Sequence, residues 1–105
     1  MVDKRDQITE DIILRLKEVY DPEIPVNIYD LGLIYSVNID EEFSVGIIMT
    51  LTAPGCPVAD MLLEEVREAA LSVEGVKNAN VELTFDPPWD KSMMSEEARL
   101  ELGFF

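Results

Sequence analysis

A chain of 105 residues holds one domain with a modest core, and 48% apolar residues are too many for a disordered segment. Its 22 acidic and 8 basic residues give a formal net charge of -14, with the Lys and Arg scattered from Lys4 to Arg99. Such a surface repels nucleic acid and anionic lipid.

No histidine and a single cysteine are present, which excludes His-based acid–base catalysis, His-paired nucleophiles and a four-cysteine metal site within one chain. No apolar run reaches the ~18 residues that span a membrane, and Met1–Asp6 lacks the apolar run of a signal peptide. The expected setting is the cytoplasm, where a lone cysteine is ordinary.

Ile8, Ile12, Leu16, Val19 and Tyr20 recur at helical spacing and predict an amphipathic helix over 6–20, capped by Asp6 or Thr9 and ended by Asp21-Pro22-Glu23. Residues 21–32 form a connector, unusually apolar through Ile24, Val26, Ile28 and Leu31. A loop of this kind costs entropy to order, which invites a functional role.

Two strands are predicted next. The first, Leu33 to Ile39, puts Leu33, Tyr35, Val37 and Ile39 on one face. The second, Phe43 to Leu51, alternates apolar residues with Ser44, Gly46, Thr50 and Thr52 on the other face. The short Asp40-Glu41-Glu42 link makes them an antiparallel hairpin.

A second helix is expected from Pro57 to Val73, with Val58, Leu62, Val66, Ala69 and Val73 as its stripe, broadened by Met61, Leu63 and Ala70. Gly75 is its stop. Ala79, Val81, Leu83 and Phe85 then alternate as a third strand. Asp86-Pro87-Pro88-Trp89 ends it, and a short helix runs from Glu96 to Leu102 between a Ser95 cap and Gly103. The expected fold is α+β: a small mixed sheet of three or four strands, two long helices on one face and a short C-terminal helix.

The chemistry concentrates in Thr50-Leu51-Thr52-Ala53-Pro54-Gly55-Cys56-Pro57, read as strand end, tight turn and helix start. A cysteine at a helix N-terminus faces free amides and the positive end of the dipole, which stabilise a thiolate. The chain's many carboxylates act the other way. Asp21 and Glu23, stiffened by the proline between them, are candidates for oxygen ligands or proton acceptors. Trp89 follows two prolines and is expected to be exposed, as a docking residue would be.

Three blocks carry a resemblance. Residues 21–35, from Asp21-Pro22-Glu23 to Ile34-Tyr35, residues 49–57 around Cys56, and Asp86-Pro87-Pro88-Trp89 with Met94-Ser95 together resemble the MIP18 family, also called the domain-of-unknown-function 59 family, with its SufT-like and PaaD-like members. The resemblance covers essentially the whole chain. It implies a compact domain related to iron–sulfur cluster assembly domains and a carrier or adaptor role in maturing iron–sulfur proteins, rather than an enzyme. P-loop ATPase cluster carriers, other assembly machinery and apo client proteins are the implied partners.

Carried over by position, Asp21 and Glu23 match the family's acidic pair, Thr52 its threonine and Cys56 its cysteine. The chain lacks the C-terminal cysteine-containing segment of PaaD-like members, which argues against an oxygenase-specific role.

The expected reading is therefore a monomer or weak homodimer whose Cys56 contacts a transient iron–sulfur cluster, iron or a partner's thiol. The alternative is a metal-free adaptor that docks clients, such as a ring-hydroxylating oxygenase complex, through the 21–32 connector with Tyr29, Asp30 and Trp89.

Overall fold

The computed structural model describes residues 4–21, 26–51 and 59–103. Ile8, Ile12 and Leu16 fall four apart, and a helix sets them on one buried stripe of α1 (Lys4–Leu16). The helix starts at Lys4, so Asp6 lies in its first turn rather than at its cap, and the Thr9 hydroxyl donates back to the Arg5 carbonyl at 2.9 Å. It also ends four residues before the expected Tyr20. Val19 must turn inward to be buried, and Tyr20 forms a bridge with Asn27 instead of a further helical turn.

The hairpin pairs β1 (Ile34–Ile39) with β2 (Ser44–Met49) antiparallel. Asp40 closes its turn by accepting from the amides of Glu42 and Ser44. Phe43 sits in the left-handed region at φ 62°, a backbone cost of about 1 kcal/mol for a side chain of this kind. Its ring faces the Lys4 ammonium, 5.2 Å from the centroid.

A bulge between Ile34 and Ser36 shifts the register. Ile34 therefore stands opposite Met49, and Tyr35 is left out of the expected alternation with Val37 and Ile39.

α2 (Ala59–Leu71) then leads to β3 (Asn78–Leu83), which pairs parallel with β2. Leu62, Val66, Ala70 and Val73 are buried, whereas Met61 is 65% exposed. Met61 belongs to the outward stripe with Glu65 and Glu68, so the expected apolar stripe is narrower than its hydrophobic residues suggest. β3 ends before Phe85, which is exposed.

The three-stranded order is β1-β2-β3, so β2 is the central strand. Val45, Ile47 and Met49 join the buried stripes of α1 and α2 in one core. On the opposite face a Cβ at Gly46 would meet no described atom within 4 Å.

The chain closes with a 3-10 turn over Lys91–Met93 and α3 (Glu96–Leu102). The Ser95 hydroxyl accepts from the Ala98 amide at 3.1 Å, and Gly103 stops the helix at φ 80°.

Candidate functional site

Asp21 is placed by a short ladder of backbone hydrogen bonds. The Ile28 amide donates to Val19 at 2.9 Å, and the Asp21 amide to Val26 at 3.4 Å. The Leu33 amide donates to Ile28 at 3.1 Å, and the Thr50 amide to Leu33 at 2.8 Å. The connector is thus knitted between the end of α1 and the end of the central strand. Asp21 is only 8% exposed, a position a carboxylate seldom holds without interactions; it has such an interaction here. Of the other expected site residues, Glu23, Thr52 and Cys56 lie outside the described residues, as does the expected helix start at Pro57.

Thr50 falls on the face away from Met49, as strand alternation predicts, and it is fully buried there. Its hydroxyl has no hydrogen-bond partner among the described residues, and the same holds for the buried Ser36 hydroxyl on β1. Ser36 stands opposite Ile48, so these two hydroxyls share one face of the sheet. Alternation gives a side chain's face but not whether that face is covered, so nothing in the sequence announced this.

Tyr29, Asp30 and Trp89 are engaged within the protein. The Asp30 carboxylate accepts from the Asn27 side-chain amide at 2.9 Å, and the Asn27 side-chain oxygen accepts from the Asp30 amide at 2.9 Å. Asn and Asp at this spacing build their own turn, a signal that the sequence does carry. Tyr29 is half-buried beside the Lys17 ammonium, 5.5 Å from its ring centroid.

Trp89, expected to be exposed, is half-buried against the core, and its indole N–H donates to the Leu31 carbonyl at 2.7 Å. The Tyr35 hydroxyl donates to the Pro87 carbonyl at 2.7 Å, and the Ser95 amide to the Asp30 carbonyl at 2.7 Å. Residues 86–95 therefore clasp the connector. Gly32, at φ 82°, is required at this closure, because a Cβ there would collide with the Met93 backbone.

No group of three or more His, Cys, Asp or Glu side chains that could hold a metal lies among the described residues. A full ligand set on this chain must therefore include groups outside them, and the thiol of Cys56 and carboxylate of Glu23 are chemically suited to iron. No helix among the described residues is long and apolar enough to cross a membrane.

The fold resembles a crystal structure of a domain of unknown function, DUF59, from Bacillus anthracis, with a TM-score of 0.87, 35% sequence identity and 95% of both chains covered. It is thus an α+β domain of the DUF59 class. The model of the family described as "iron-sulfur cluster assembly protein" matches residues 9–83, and the chain belongs to that family.

It is 59% identical over 98 residues to a protein named "Fe-S protein maturation auxiliary factor" from Porphyromonas gingivalis, covering 93% of each chain. It is 40% identical over 98 residues to the Bacillus subtilis "Fe-S protein maturation auxiliary factor YitW", covering 93% of this chain and 96% of that one.

Proposed function

We propose that this protein serves iron–sulfur protein maturation as a transient carrier, with the Cys56 thiolate as the exchangeable contact to iron, a cluster or a partner's thiol. The observation that carries the reading is 59% identity, across nearly the full length, to a chain named for auxiliary work in Fe-S protein maturation. The chemistry agrees with it. A single thiolate cannot enclose a cluster, and the described residues add no ligand group of three or more. Cargo held here must share its remaining ligands with another protein or a small thiol, which favours release over storage.

Asp21 and Glu23 are the acidic pair of the site and Thr52 its hydroxyl. Partners are P-loop ATPase cluster carriers or apo clients, and the protein is no enzyme.

The test is anaerobic reconstitution of wild type and Cys56→Ser, read by iron content and visible absorption, followed by transfer to an apo acceptor. The serine variant should load little iron and transfer none. Equal loading would remove the ligand role and leave a metal-free adaptor. In such an adaptor the connector surface would do the docking, since the Trp89 indole N–H is already committed to Leu31.

A further inference from the structure

The outward sides of α1 and α2 repeat one spacing. Asp11, Leu14, Arg15 and Glu18 stand at i, i+3, i+4 and i+7 along α1 and the turn that continues it. Glu65, Glu68, Ala69 and Ser72 repeat the pattern along α2 and its end. Two hollows that share Arg15 and Glu18 as lining lie along these stripes and are together called the groove. Each stripe extends ~10 Å, about two turns of a helix.

The groove has an apolar element and an electrostatic one. Leu14 is 61% exposed on it and Ala69 is half-buried alongside, while Val73 lies buried beneath. Five carboxylates line it, those of Asp11, Glu18, Glu65, Glu68 and Glu74, and the cation among its described lining residues, Arg15, is already paired with Glu18 at 3.7 Å. Nor does α2 carry a basic residue in its last turn, so the negative end of its dipole is unmatched there. Lys4, Lys17 and Arg67 are engaged by Phe43, Tyr29 and the Ala79 carbonyl, and none of them lines the groove.

We propose that this groove docks an amphipathic helix of a partner protein, its leucine-type stripe set on Leu14 and its flanking Lys and Arg among the carboxylates. A helix lying in a groove presents its own anchors at i, i+3, i+4 and i+7, and the ridges of one helix pack into the grooves of its neighbours. A second copy of this chain is a poor occupant, because a net charge of -14 repels its own kind.

The probe is a fluorescent synthetic peptide, helical by design, with Leu along one stripe and Lys on both flanks. Binding is read by anisotropy at low and high salt. The double variant Glu65→Lys/Glu68→Lys should weaken binding ~10-fold or more, and Glu41→Lys/Glu42→Lys, the same charge change in the exposed hairpin turn, less than ~3-fold. Leu14→Ser, which changes no charge, should weaken binding about 3-fold or more.

Circular dichroism verifies that each variant is folded. Equal losses for the two double variants, or no effect of Leu14→Ser, would reduce the attraction to net charge and overturn the proposal. So would self-association through this face without peptide binding. Cys56→Ser should leave the peptide affinity unchanged, so this surface and the cargo reading fail separately.

Discussion

A valine at position 50 would occupy the volume of the threonine without carrying a hydroxyl into a fully buried position. Leaving such a group unpaired costs about 1–3 kcal/mol, and Thr50 is 0% exposed with no partner among the described residues. Thr50→Val is therefore expected to raise stability by about 1 kcal/mol, seen as a higher urea midpoint with an unchanged slope. A lower midpoint would show that the hydroxyl is bonded after all. If the variant is more stable yet poorer at maturation, the hydroxyl has been retained for the site rather than for the fold. Residue identity alone announced the candidate chemistry of Cys56, Asp21 and Glu23, because thiols and carboxylates state their reactivity. It could not announce the burial of Thr50, which depends on what covers one end of a sheet.

Among the elements, legibility followed the range of the forces involved. α3 was readable to the residue, since its Ser95 cap and Gly103 stop act within a few positions. The end of α1 was not, because the Val19–Ile28 hydrogen bond and the Tyr20–Asn27 bridge divert the chain before its helical pattern runs out. Nor was the bulge at Tyr35, whose hydroxyl is drawn to Pro87 far along the chain.

The clasp is an element-level device of the same long-range kind. Trp89→Phe keeps an aromatic ring, though a smaller one, and leaves the Leu31 carbonyl without its donor; the lost bond alone should cost about 1–2 kcal/mol. Amide hydrogen exchange at Gly32 and Leu33 should quicken by more than at β2. Uniform quickening throughout the domain would show that the bond supports the whole fold and not the connector in particular.

For the molecule as a whole, the excess of negative charge sets the behaviour. There are 22 acidic residues against 8 basic, and the ion pairs Arg15–Glu18 and Arg67–Glu64 are both exposed and so weak, which leaves like-charge repulsion working against the folded state. Raising NaCl from about 20 mM to about 300 mM shortens the screening length several-fold. The expected result is a Tm higher by about 5 °C, equivalent to roughly 1 kcal/mol for a domain of this size. No change in Tm would show that the carboxylates are too dispersed to strain the fold. Fold class and the pairing of the first two strands were legible at this scale because apolar periodicity and chain order fix them. How the C-terminal segment folds back on the connector was not, because it depends on contacts between distant parts of the chain.

That closure is also ordered along the chain. Pro87, Trp89 and Ser95 supply three anchors for residues 30–35, and all three are translated after the last strand of the sheet. α1, α2 and all three strands precede these anchors in the chain, and only α3 follows them. A chain cut after Leu83 would therefore contain every described strand and none of the connector's three anchors, so the sheet and the finished site are separable by truncation.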